Sequence, residues 1–417
     1  MRRLRLLAAF TSNGFAVQAI GLFASVMIVR SMDKQDYALY AIALSALGLV
    51  TTLSDAGVNS KLLALAGEGA AAGKDVSPYF RAAMQFRRIL AAAVVLPGLV
   101  LAIYLLFANG ASPLILALSV LAIALTALAA ISTSLVTVAL QVFREYKSLQ
   151  GTALWSAIVR LGLVAALFLL GVSSPPAFLF AGAIAAAYLY LARSRTAKHH
   201  ADWGAGTHPV GREDFISASR SALPSALALI LAEQLVTILL TINGNTDAIA
   251  EIAALTRFAV AFAVVNDVVR NIVAPSIARS APTRSSVLRS LGQVSSVYLL
   301  LAVAYLTGLI LAGPLLLSIL GPEYAGLTPE LAALGLGTVI VNFSRGGIGA
   351  INYARGWNRY SWSYIPFAVV WAIVGLSALD LSTTWGAIAF SASLALVGLA
   401  SQVVRLVHGV LNLESGS

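Results

Sequence analysis

Apolar residues fall in long blocks separated by short polar breaks, and the blocks match the roughly 20 residues that a membrane-crossing helix needs. Twelve such runs span 8–29, 37–60, 88–108, 113–139, 149–171, 176–192, 216–242, 248–275, 286–312, 328–353, 360–380 and 384–408. Asn109-Gly110-Ala111-Ser112-Pro113 and Gly171-Val172-Ser173-Ser174-Pro175-Pro176 read as tight turns punctuated by Gly and Pro. The second run follows a charged loop, Arg30 to Asp36, and carries Asp55, Gly57 and Lys61 near its far end. Tyr37 to Asp55 covers roughly 27 Å at the helical rise, close to the hydrocarbon thickness of a bilayer. The pattern predicts an all-α membrane protein with twelve transmembrane helices.

Composition agrees. The chain is 59% hydrophobic and 11% charged, against about 25% charged in soluble domains, and its mean hydropathy is +0.88. With no cysteine, disulfides, thiolate metal sites and thiol nucleophiles are excluded. The net charge of +10 is dispersed over short loops, which reads as membrane topology rather than nucleic-acid binding. The basic start Met1-Arg2-Arg3-Leu4-Arg5 resembles a signal peptide, but the run to Val29 is too long and lacks a small-residue cleavage site, so it is read as a retained span. Lys and Arg collect at both termini and in even-numbered loops, Arg81, Arg87, Arg144, Arg193 and Arg355 among them. Odd-numbered loops hold Arg30, Lys34, Asp247, Glu323 and Glu330. That asymmetry places both termini in the cytoplasm.

Asp36 to Leu44 aligns with Asp247 to Leu255, and the same offset aligns Gln141 to Tyr146 with Asn352 to Trp357. Two matches at one offset predict parallel repeats: a six-helix lobe over 1–192, a basic cytoplasmic linker over 193–215, a second six-helix lobe over 216–410, and a solvated tail over 411–417.

Four segments carry a resemblance. Arg30-Ser31-Met32-Asp33-Lys34-Gln35-Asp36-Tyr37-Ala38-Leu39-Tyr40 resembles the first-loop signature of the polysaccharide flippases of the multidrug/oligosaccharidyl-lipid/polysaccharide (MOP) superfamily, with Ala38 where Gly is common. Leu53-Ser54-Asp55-Ala56-Gly57-Val58 resembles that family's ending of the second span. Val273 to Arg279 resembles its Pro-x-x-Ala-Arg segment, and Gly313 to Ala325 its Gly-x-Glu-Tyr ending. The resemblance implies a MATE-like pair of bundles around a central cavity that opens alternately to each side. It also implies turnover of a lipid-linked oligosaccharide from the cytoplasmic leaflet. Implied partners are a polyprenyl-diphosphate-linked sugar, the bilayer, a coupling proton or sodium ion, and a glycan polymerase with glycosyltransferases; the chain is read as a monomer.

No catalytic set emerges, so the chain is read as a transporter and not an enzyme, with no cofactor. His199-His200 lacks nearby carboxylates for a metal, and no Gly-rich phosphate loop follows a strand. The informative residues are ionisable groups inside apolar runs, each costing about 2.5–3.5 kcal/mol at a bilayer centre unless paired or hydrated. Arg30, Arg160, Arg257 and Arg345, with Asn342, are the candidates for holding a diphosphate, since Arg stays charged and grips phosphate oxygens in a fork. Glu233, Asp55 and Asp267 are the candidates for ion coupling. Each has a plainer reading: Asp55 capping a helix resumed after Gly57, Lys61 snorkelling, Asp267 pairing with Arg270, Glu233 pairing with Arg257. Two other functions stay open: a cation-coupled multidrug or metabolite exporter of the related branch, which favours acids in a neutral aromatic cavity, and a membrane scaffold for glycan assembly.

Overall fold

The computed structural model describes residues 2–200, 212–259, 262, 283–355, 357 and 360–414. Those residues form helices joined by short turns, with no strand among them. Asp267, Arg270, the 273–279 segment and the middle of the basic linker lie outside the described residues. The chain divides into two compact units, Met1–Ile230 and Leu231–Ser417, with the division falling inside a helix.

The first unit holds α1 (Arg2–Ser31), α2 (Lys34–Asp55), α3 (Val58–Ala71), α4 (Ser77–Ala108), α5 (Pro113–Val142), α6 (Tyr146–Leu169), α7 (Pro175–Ala197) and most of α8 (Arg212–Ile242). Caps set the starts. Asp33 accepts from the Asp36 backbone N–H at 2.8 Å ahead of α2, and Ser112 caps α5 with Pro113 behind it. The second apolar run is two helices rather than one rod. Ala56 (φ 32°) and Gly57 (φ 83°) both take left-handed backbone, which ends α2 and re-aims the chain. Asp55 then accepts from the Asn59 backbone N–H at 3.1 Å, so it caps the restarted helix α3.

Within this unit α5 packs along α7, α1 along α6, and α2 against α4 and α5. Lipid leaves little hydrophobic drive between helices, so close van der Waals fit and small residues hold the bundle. Gly98 of α4 seats against Val50 of α2, where any Cβ would collide with the Val50 Cγ2 methyl. Large apolar side chains such as Phe23, Leu169 and Phe107 point outward, as lipid-facing positions do. The first-loop signature turns inward instead: Tyr37 and Tyr40 are buried and stacked at 6.0 Å, and Gln35 donates to the Asn109 carbonyl at 2.7 Å.

The second unit holds the end of α8, then α9 (Thr246–Leu255) with a short 3-10 turn Thr256–Ala259, α10 (Arg284–Leu320), α11 (Thr328–Asn342), α12 (Gly349–Ala354), α13 (Tyr364–Ala378) and α14 (Thr384–Glu414). α11 and α14 pack closely at Gly337, whose missing Cβ would lie 2.9 Å from the Ala392 carbonyl oxygen. Between α11 and α12 the chain makes one π-helical turn, Phe343–Ile348.

Nine described helices are long and apolar enough to cross a membrane, and Ala226–Ile242 and Tyr364–Ala378 are shorter apolar helices. Two basic positions expected in solvated loops belong to helices. Arg193 lies in α7 and donates to Thr137 Oγ1 (2.7 Å), Thr152 Oγ1 (3.2 Å) and the Leu149 carbonyl (3.2 Å), tying α5 and α6 to α7. Arg87 lies buried in α4 and donates to Asn59 Oδ1 at 2.7 Å, with Asp55 at 3.6 Å. Both helices run past the apolar blocks, because a satisfied guanidinium is no reason for a helix to stop.

Candidate functional sites

Each unit contains its own polar pocket. In the second unit the π turn displaces the chain by one residue within an otherwise α-helical crossing, a feature that frequently marks functional positions. Its sequence, Phe343-Ser344-Arg345-Gly346-Gly347-Ile348, carries two adjacent glycines, which lower the cost of leaving α geometry. The turn aims Arg345 at α8, where Nη2 donates to Glu233 Oε1 at 3.1 Å. The two side chains are 53% and 49% exposed. Charges that open would be too costly against hydrocarbon, so the pocket is hydrated.

That pocket has a volume near 300 Å³, and Thr338, Asn342, Ser344, Tyr364 and Ser391 line it with the ion pair. Asn342 donates to the Thr338 carbonyl at 2.7 Å, which holds its amide at the pocket wall. Ser344 is 1% exposed, and its Oγ has no hydrogen-bond partner among the described residues. The pocket therefore offers a cation, a carboxylate and neutral hydroxyls within a small wet space. Arg345 can hold an anionic group whenever Glu233 is displaced or neutralised.

In the first unit, Arg160 of α6 reaches toward α2, and Nη2 donates to the Tyr40 hydroxyl at 3.3 Å. Tyr40, Thr126, Ser156 and Arg160 share a pocket near 270 Å³ with an apolar remainder. Among the described residues no carboxylate pairs with Arg160.

The other expected residues are placed differently. Glu233 has Arg345 as its ionic partner, in place of the Arg257 pairing; Arg257 is half-buried on the 3-10 turn after α9. Arg30 is exposed in the last turn of α1. Asp55 caps α3 and neighbours Arg87, so its geometry matches the capping alternative. Lys61 pairs with Asp214 at 2.9 Å rather than snorkelling alone. His200 stacks on Phe143 at 4.7 Å and pairs with Glu145 at 3.1 Å; no group of three or more potential metal ligands occurs among the described residues. Sequence reasoning passed over Glu251, a carboxylate 3% exposed in α9. The repeat alignment was the available signal, since it sets Glu251 opposite the buried Tyr40.

No protein-family profile matches the chain, and no curated protein does. Solved structures do match over nearly the whole length. A multidrug resistance MATE family transporter of the MOP superfamily, in an inward-facing conformation, superposes with TM-score 0.68 at 14% identity, covering 95% of each chain. The lipid II flippase MurJ gives 0.67 at 13% identity, covering 97% of this chain and 90% of its own. The eukaryotic MATE transporter AtDTX14 gives 0.65 at 15% identity, covering 98% and 96%. The fold is thus the one shared by these MATE and MurJ structures.

Proposed function

We propose that the chain is a flippase carrying a negatively charged, polyprenyl-diphosphate-linked oligosaccharide across the inner membrane by alternating access, for polysaccharide biosynthesis. The observation that supports this most is the Arg345 guanidinium, held open in a hydrated pocket that the Ser344 hydroxyl also lines. A diphosphate must cross a low-dielectric region with its charge compensated, and Arg supplies a permanent forked donor. Arg345 and Asn342 form one gripping point, with Arg257, Arg160 and Arg30 as further cationic steps. The match to a flippase of lipid II is consistent with such a cargo.

Glu233 is the coupling group in this reading. Its carboxylate and a substrate phosphate compete for Arg345, so a proton on Glu233 releases the arginine to the substrate. Asp55, engaged as a cap, ranks below it, and Asp267 follows. The rival reading, a cation-coupled exporter, draws on the same Glu233 carboxylate as a cation acceptor and on the MATE transporters of equal fold similarity. Reconstituted vesicles separate the two. Polyprenyl-diphosphate-linked sugar becomes exposed on the opposite leaflet in the first case, and Arg345→Ala and Arg257→Ala abolish that while the protein still inserts. Absence of flipping with every polyprenyl-linked donor, together with pH-driven efflux of a cationic dye, would replace the proposal with the exporter.

A further inference from the structure

Arg160 poses a charge problem that the described residues do not solve. Its guanidinium carries five N–H donors, yet its hydrogen bond runs from Nη2 to the Tyr40 hydroxyl at 3.3 Å. Nε is sealed from solvent and has no hydrogen-bond partner. No carboxylate among the described residues lies within ion-pairing distance. The pocket around it is lined mostly by apolar side chains, Leu44, Ile123, Phe178 and Leu179 among them. A half-buried cation with its Nε sealed in such surroundings is stabilised by a counter-charge, because its partial desolvation is otherwise uncompensated.

We infer that the Arg160–Tyr40 pocket is an anion-binding site of the first unit, occupied by a small inorganic anion or by a phosphate group of that size. The donor set fits. Tyr40 accepts the Arg160 bond, which leaves its own O–H proton to give, and the remaining Nη N–H groups of Arg160 provide further donors. Ser156 and Thr126 spend their protons on the Ala185 carbonyl (3.0 Å) and the Ala122 carbonyl (2.7 Å). The anion is therefore held from the Arg160 and Tyr40 side. The volume near 270 Å³ equals about nine water molecules. That admits chloride with part of its hydration, or one phosphate, and lies at the floor for even a drug-sized ligand. An oligosaccharide does not fit. The inference rests on this pocket alone and holds whichever cargo the protein carries.

The test uses the full chain in nanodiscs and measures binding, not transport, so a failed flipping assay does not bear on it. Thermal stability is compared in sodium chloride, sodium phosphate and sodium gluconate at equal ionic strength, and bromide is located by anomalous diffraction. We expect chloride or phosphate to raise Tm over gluconate. Arg160→Gln should weaken the apparent affinity by at least about tenfold, and Tyr40→Phe by about three- to tenfold. A bromide peak beside Arg160 and Tyr40 supports the site even if Arg160→Gln does not fold. Should the Tm be insensitive because lipid phosphate already fills the pocket, phosphorus analysis will find about one lipid retained by the wild type and lost in Tyr40→Phe, which assigns the anion to the bilayer. Finding no anion-dependent Tm, no bromide peak and no retained lipid overturns the inference, with water as the partner of Arg160.

Discussion

Removing the Glu233–Arg345 pair should hardly change the stability of the protein while stopping its transport. The pair sits at 3.1 Å, with both side chains about half exposed in a wet pocket. Coulomb's law gives roughly 5 kcal/mol at that distance for an effective dielectric of about 20. Exposure to this degree screens most of it, and measured exposed pairs contribute about 0.2–1 kcal/mol. A double-mutant cycle of Glu233→Gln and Arg345→Ala should therefore give a coupling of about 1 kcal/mol or less in denaturant unfolding. Flipping in proteoliposomes should fall more than about tenfold in Arg345→Ala. Glu233→Gln, which copies the protonated acid, should flatten the pH dependence of transport rather than the folding curve. A coupling above about 3 kcal/mol would mark the pair as a structural clamp. Full transport in both single variants would remove it from the mechanism altogether.

Three further outcomes follow from the packing. Arg193→Ala strips three hydrogen bonds from the α5–α6–α7 junction and should cost about 3–5 kcal/mol in unfolding free energy, whereas a substitution at exposed Arg30 should be near neutral. Gly98→Val forces a side chain onto Val50 and should lower stability by about 1–3 kcal/mol, read as a reduced Tm. Asp380 lies in the turn between α13 and α14, and bonds from the Ser382 hydroxyl (2.7 Å) and backbone N–H (2.9 Å) hold its carboxyl below the usual aspartate range. The stabilisation of that turn is present above the ordinary aspartate value and disappears as pH falls through the lowered one. Carbon NMR should show the lowered midpoint, with Ser382→Ala moving it upward.

The helices were legible because a block of apolar residues near membrane length leaves the backbone few options but an internally bonded helix. Helix ends were less legible. Hydropathy stops at the first charge, so Arg193 was set in a loop, although Thr137 and Thr152, far away in sequence, satisfy it inside α7. The second crossing showed Asp55 and Gly57, and the capping reading of Asp55 was available from that spacing. The Glu233–Arg345 contact was not. The two residues are 112 positions apart, and one sequence holds no information that joins them. The π turn was hidden as well, since Gly346-Gly347 reads equally as a helix position or a break. Glu251 escaped notice because a single acid near the start of an apolar run looks like an interface residue.

The same separation of 112 residues has a consequence for biogenesis. At about 5–20 residues per second, a ribosome needs roughly 6–22 s to reach Arg345 after completing Glu233. During that interval α8 enters the translocon as an acid without its base, on an apolar stretch of only Ala226–Ile242. An ionised side chain mid-segment penalises insertion by about 2.5–3.5 kcal/mol, so nascent α8 commits late or commits with its carboxyl neutral. Chains truncated before Arg345 should integrate α8 less completely than the full chain, and Glu233→Gln should erase that difference.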